Sequence, residues 1–456
     1  MSLGLSVAGT YALHGNQKRP TPPAAWLDEV RHWLLTACEA ELEAEPEVQM
    51  NEAGEPALYA LLHPCAAPIE IIAPDGGLVH VNAMTTSVGP GYHQFVCSLM
   101  DRMAEELGIT WGPQVEEKSE DETGYFFGRD RANLEGAMLL WLQSVCRIVL
   151  EPGGMLDGNR APDDAPPAVA MALGTTFLHG GDVTTPMGPR NRAWLEAVTQ
   201  DPRRGIDFFA WWDEGQPART LLRRAEAIMW SQVRWTPAVT EEDFEVQRRV
   251  ADLLAEAYAL DPSLPYPWRE WAELMTLVEW EGKPREEVER LAAAVDPAAP
   301  LIGYLRGDVI VSLPGPWKIV LPGSLTLVED DDGDFVVTDG RRTLRCSSLR
   351  LGDETDRPTM EQIMAKPPPL DAPNAEKLTP WTMGRIGGAG TIARMSEDGE
   401  DYWAMTAIVC TDGQLAILTF TFDREEDRQW AERAWRSVRF VEGFRDDDEA
   451  GDAAGH

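Results

Sequence analysis

The sequence predicts an α+β chain of several domains: an α+β head, a mainly helical middle and a C-terminal antiparallel sheet with packed helices. Three observations predict it. At 456 residues the chain exceeds what one hydrophobic core usually holds. Its apolar pattern changes along the chain, from mixed helix and strand, to helical stripes, to short strand-like runs. Joints rich in Gly, Pro and Asp fall near those changes, at 151–168 and before Pro300. The expected domains are 1–150, 169–300 and 301–445, with a linker at 151–168 and an acidic, disordered tail at 446–456.

Within the head, residues 1–23 read as a loose, Pro-containing lead. From Trp26 the apolar residues Trp26, Leu27, Val30, Trp33, Leu34 and Ala37 fall at helix spacing. In "APIEIIAPDGGLVHVNAMTTSV" two apolar runs flank Pro74-Asp75-Gly76-Gly77, a composition that suits a β-hairpin. "TTSVGPGYHQFVCSLMDRM", residues 85–103, follows. Its Gly-Pro-Gly suits a sharp turn from strand to helix. Tyr92, Phe95, Val96, Leu99, Met100, Met103 and Leu107 then form one stripe opposite Gln94, Asp101, Arg102 and Glu105. A further helix over about 131–149 carries Leu134, Met138, Trp141, Leu142, Val145 and Val149.

In the middle segment, Thr240 and Asp243 form a capping pair ahead of Val246, Val250, Leu253, Leu254 and Ala257. "ALDPSLPYPWREWAEL" reads as the junction of a helical hairpin, and Trp268, Trp271, Met275 and Val278 share a face that suits a core. Trp211 and Trp212 in "FFAWWDEG" are adjacent, so a helix could not turn both fully inward. With Asp213 and Glu214 they form an apolar anchor with a charged rim, the expected partner-binding set.

After Pro300 the texture is that of strands. "SLTLVEDDDGDFVVTDGRRTLRCSSLRL" has short β-rich runs broken at Asp-Gly turns. A short helix around "PTMEQIMAK", a Pro-rich loop, two strands in "DYWAMTAIVCTDG" and "QLAILTFTFD", and an amphipathic helix with Trp430, Ala434 and Val438 complete it. This order, opening on "GPWKIVLPGSLTLVED" and closing on "AWRSVRF", resembles the PsbP-like fold shared by the DcrB-like family and the Eag chaperones of type VI secretion. The resemblance covers about residues 305–442. It implies an antiparallel sheet with packed helices and a protein-binding role, since Eag chaperones shield apolar N-terminal segments of effectors.

Charge narrows the partner. Forty Lys and Arg against 76 Asp and Glu leave a net charge of −36, which repels nucleic acid and anionic lipid and attracts basic proteins. Six scattered cysteines without a CxxC pair read as reduced core residues of a cytoplasmic protein. No basic, apolar leader opens the chain, and nowhere do about 18 apolar residues run uninterrupted, so neither a signal peptide nor membrane insertion is expected.

Catalytic motifs are incomplete. A Walker A loop needs Lys-Ser/Thr after its last glycine, but Gly91 is followed by Tyr92 and His93, and no GxGxxG is present. "FLHGGDVTTP", residues 177–186, could line an oxyanion hole, but no GxSxG elbow accompanies it. Ser87, His93, His179 and Asp182 are the alternative site set for a hydrolase. "EDDDGD", residues 329–334, fails the calcium register, because aligning Gly333 puts Val328 where the first Asp belongs. No Cys/His set has zinc spacing, and no metal or cofactor is expected. The expected function is non-enzymatic recognition of a basic or partly apolar protein, as by an immunity protein or effector chaperone in a bacterial toxin, secretion or defence system. The alternatives are that hydrolase and a scaffold subunit of a larger assembly.

Overall fold

The computed structural model describes residues 3–11, 22–112, 120–151, 168–169, 176–178, 182–213, 215–328, 334–351, 358–397 and 399–441. The chain is α+β, and the named strands among these residues form three antiparallel sheets. Of the expected linker at 151–168, residues 152–167 lie outside the described residues, as does the expected tail at 446–456.

The head sheet runs in the order Glu47–Met50, Pro56–Ala60, Ile69–Ile72, Leu78–Met84, Gly4–Tyr11, Ile109–Trp111, and Glu120–Asp121 also pairs with Gly4–Tyr11. Residues 69–84 form the expected hairpin. The expected loose lead does not hold: Gly4–Tyr11 is an interior strand, with Val7 opposite Val81. Small residues such as Ser6, Ala8 and Gly9 mute its alternation in the sequence, while Leu5, Val7 and Tyr11 are buried. Helices Pro23–Ala37 and Pro90–Leu107 join this core through Trp26, Leu27, Val30, Leu34, Val96, Met100 and Met103.

Helix Arg131–Leu150, expected within the head, instead shares its core with the middle segment. Leu134, Met138, Trp141 and Leu142 share a core with Leu195, Val198, Phe208 and Phe209. Helices Pro217–Ser231, Glu241–Leu260, Trp268–Leu277 and Arg285–Ala292 build a separate core around Leu222, Ile228, Leu254, Trp271 and Leu274. The hydroxyl of Thr240 caps the second of these by accepting from the Asp243 N–H.

The last sheets come from one continuous stretch of chain and one outlier. A small sheet runs Arg439–Phe440, Trp317–Pro322, Asp308–Ser312, Thr176–Phe177. The large sheet runs Thr326–Val328, Phe335–Thr338, Arg342–Arg350, Gln414–Phe422, Glu400–Thr411, Ile386–Glu397, Glu376–Lys377. Trp430, Ala434 and Trp435 of helix Arg428–Arg436 lie in one core with Leu344, Met405, Leu418 and Phe420. Strand Ile386–Glu397 falls where the sequence suggested only loop; a Cβ at Gly388 would meet Trp381 at 2.6 Å and Trp435 at 2.9 Å. The cluster from Leu313 to Val438 is thus internal to the C-terminal unit. A fragment spanning 301–441 should melt cooperatively by itself, followed by circular dichroism; a gradual loss of signal would refute its independence.

Head and helices meet at one buried carboxylate. Glu43 accepts hydrogen bonds from Nε and Nη2 of Arg224, 2.8 Å at Nε, and from Arg249 Nη1 at 2.6 Å. Arg224 also donates to the carbonyls of Ala40 and Glu41, which follow the first helix. The Arg224 and Glu43 side chains are 5% and 6% exposed, so removing one partner strands the other in low dielectric. Glu43→Ala should lose about 3–5 kcal/mol of stability against urea. A loss under about 1 kcal/mol, the range of an exposed pair, would show the contact is solvated.

Candidate functional site

The strand-to-helix turn at 85–93 is closed by protein. Val88 C=O accepts from Trp211 N–H at 2.9 Å, and Gly91 N–H donates to Trp211 C=O at 3.0 Å. The segment 209–211 therefore lies against the turn as a strap. Gly89 has φ +120°, and a Cβ there would meet Trp211 O at 2.7 Å; one at Gly91 would meet the Trp211 ring at 2.4 Å. The glycines admit a backbone, and the Gly91 N–H at the head of the helix is taken by the Trp211 carbonyl rather than left for an anion.

His93 is fully buried beneath this turn. Its Nδ1 lies 2.8 Å from Thr85 Oγ1, and its Nε2 lies 3.2 Å from Thr123 Oγ1 and 3.6 Å from Asp121 Oδ1. Asp121 also accepts from the N–H groups of Thr123 and Phe126 at 2.9 and 2.6 Å. Burial alone would raise the Asp121 pKa, but the bonds from His93, Phe126 N–H and the Thr123 hydroxyl hold it well below the usual carboxylate range. Both ring nitrogens of His93 face threonines, so Ser87, half-buried in the turn, is not its partner. The cluster ties strand 120–121 to the turn. His179 lies outside the described residues, and Asp182 is half-buried.

The structure separates the expected tryptophan pair. Residues 209–213 are not helical, and the segment divides its side chains between two cores: Ala210 and Trp211 join the head, Phe209 and Trp212 the core of helix Arg131–Leu150. Trp211 is only 8% exposed and packs on Tyr92, Phe95 and His63, so it is no surface anchor. Trp212 is half-buried, tilted on Phe209. Asp213 is ion-paired with Arg131, and Glu214 lies outside the described residues. Trp212 and Asp213 line a cleft of about 440 Å³ beside helix 217–231.

A larger groove, about 560 Å³, lies between the helices and the C-terminal strands, and no motif in the sequence marks it. Leu305, Val309, Val311, Leu325, Leu327 and Phe335 line it from the strand side. Ser231, Arg234, Glu242, Asp243 and Val246 close the helix side, and Arg234 is held by Asp243 at 2.8 Å and by the Leu325 carbonyl at 3.2 Å. Strand Thr326–Val328 ends the large sheet, so its outer edge pairs with no named strand. Leu327 is 59% exposed beside that edge. A signal existed only in the alternation of "LTLV"; nothing local joins residues 231–246 to 305–337.

Among the described residues no three His, Cys, Asp or Glu side chains are placed to share a metal ion, and no helix is long and apolar enough to cross a membrane. No protein-family model and no curated protein matches the sequence. Two solved structures are similar over 30% of the chain. One is a crystal structure from Bacteroides thetaiotaomicron VPI-5482, 16% identical, with half of that chain covered and a TM-score of 0.24. The other is the Saccharomyces cerevisiae Ran-binding protein Mog1p, 10% identical, with 96% of that chain covered and a TM-score of 0.21. Likenesses of this size fix neither fold nor function.

His63, beneath the strap, is a titrating group the sequence did not single out. Its Nδ1 accepts the Cys65 N–H at 3.1 Å, and its Nε2 is buried without a hydrogen-bond partner among the described residues. Burial, with Arg224 and Arg249 nearby, pushes its pKa well below 6.5. An unfolded chain binds a proton at this histidine below about pH 6.5 and the folded chain does not, so acidification favours unfolding. Urea stability should therefore fall between about pH 6.5 and 5, by at most about 1.4 kcal/mol per pH unit from this group. His63→Asn should remove that slope; an unchanged slope would assign it elsewhere.

Proposed function

We propose that the chain is a non-enzymatic, cytoplasmic protein-binding factor that captures an extended, partly apolar and basic segment of another protein, as an immunity protein or effector chaperone of a toxin or secretion system does. The observation that carries this reading is the 560 Å³ groove, lined by aliphatic side chains and bordered by the open edge of strand 326–328. A free strand edge offers backbone N–H and C=O groups to an added strand, which supplies affinity without reading sequence. Alternate side chains of that strand would enter the apolar groove. The others would face solvent near Glu242, on a chain whose net charge of −36 favours Lys and Arg there. The PsbP-like resemblance of residues 305–442 supports the same reading, since proteins of that class mostly bind other proteins.

A displayed library of random peptides tests it. Selected peptides should alternate apolar with basic residues, and their association rate should drop steeply with added salt. Leu327→Asp should weaken them at least tenfold without lowering the melting temperature, because Leu327 is largely exposed. Selection of acidic peptides, or binding indifferent to Leu327→Asp, would overturn the proposal.

A further inference from the structure

The arginines of this acidic chain are mostly spent on carboxylates. Three that make no direct ion pair with a carboxylate among the described residues converge on the 440 Å³ cleft between residues 202–213 and helix 217–231. Their placement follows from local packing. The 3-10 helix Pro202–Phe208, capped by Asp201, buries Gly205 and Phe208, which leaves Arg203 and Arg204 in solvent. Helix 217–231 buries Leu222, Ala225, Ile228 and Met229. Arg219, Arg223 and Glu226 then fall at i, i+4 and i+7 on the face toward the cleft.

The carboxylates of the cleft are already occupied. Asp207 is 3.1 Å from Arg190, Glu226 is 3.0 Å from Arg223, and Asp213 pairs with Arg131. Arg203 and Arg204 make no side-chain hydrogen bond or ion pair among the described residues, and Arg219 makes no direct ion pair there, although the charge of Asp261 lies near enough to act on it. Guanidiniums clustered without a direct carboxylate contact repel one another, and a chain with 76 acidic residues had ample means to pair each of them closely. Beside them lie Trp212, half-buried with its ring at the cleft, and Leu264. The first turn of helix 217–231, which holds Arg219, adds the positive end of its dipole.

We infer that this cleft binds a small polyanion carrying a flat ring, of the nucleoside polyphosphate class. Guanidinium forks match phosphate oxygens two at a time, and an indole face stacks on a base. The volume lies within the range of about 300–1,000 Å³ typical of small-ligand pockets. Arginine stays protonated at neutral pH, so the site is built to hold rather than to transfer protons. The inference is independent of the strand groove, and either can fail without the other.

Calorimetric titration of the full chain with ATP, inorganic tripolyphosphate and polyglutamate tests it. ATP should bind at one site and weaken as salt rises. Arg219→Ala and Arg203→Ala should each weaken it at least tenfold, whereas Arg424→Ala, away from the cleft, should not. Trp212→Leu should weaken ATP but leave tripolyphosphate unchanged, with melting temperatures holding all variants folded. Equal affinity for ATP and tripolyphosphate would overturn the nucleoside assignment. Preference for polyglutamate would make the cleft an acidic-peptide site instead, and no saturable binding of any probe, or binding insensitive to both arginine variants, would overturn the site altogether.

Discussion

The buried carboxylate of Glu43 is the constraint on which the arrangement of this molecule depends. It sits just past the first helix of the head and receives one guanidinium from each of two helices of the middle segment, Arg224 and Arg249. Burying the charges of Glu43 and Arg224 beside a half-buried Arg249 is unfavourable unless each finds its partners, and here the remaining donors of Arg224 reach the carbonyls of Ala40 and Glu41. An apolar contact of equal area would tolerate sliding. A guanidinium that must meet one carboxylate and two carbonyls does not, so the head is fixed on the helices in one register. The strap at 209–211 adds a second tie, threading backbone to backbone past Gly89 and Gly91.

That lock explains why the most suggestive motif in the sequence is structural. Gly-Pro-Gly followed by a histidine has the composition of an anion cradle, and composition alone does not say whether the approaching group is a ligand or the chain itself. Here it is the chain, at Trp211. The same event decides the tryptophan pair: an extended strap sends Trp211 into the head and leaves Trp212 at the cleft. Reading "WWDE" as one anchor assumed a helix, and the segment's backbone is committed to the turn at 88–91 instead.

Legibility followed the locality of the signal. Helices 90–107 and 131–150, the Thr240 cap and the face of Trp271 and Met275 were readable, because each is set by residues three to seven apart. Strands 4–11 and 386–397 were not. Both carry glycine and alanine where a strand signal needs β-branched side chains, and both are strands because neighbours close on them: Val81 on one, Trp435 on the other. The groove was the least legible feature, since its two walls are some distance apart in the chain and neither is unusual alone. The arginines of the cleft were visible as residues, but which of them make no direct ion pair among the described residues is a property of the folded charge pattern.

Helix Pro217–Ser231 joins these features in one element about 22 Å long, at 1.5 Å per residue. Arg219 and Arg223 near its start line the cleft, Arg224 in its middle grips Glu43, and Ser231 at its end borders the groove. Trp230 packs on Tyr304, whose hydroxyl bonds the backbone of Thr185, so the far end is fixed as firmly as the middle. A rod held at two points transmits a displacement only if one hold has a second arrangement, and a charge as buried as Glu43 has no comparable alternative partner among the described residues. The cleft and the groove are therefore presented as two preformed surfaces on one rigid support. The binding proposed at either would draw on preorganisation, with little ordering left to oppose it, rather than on a shift of the other.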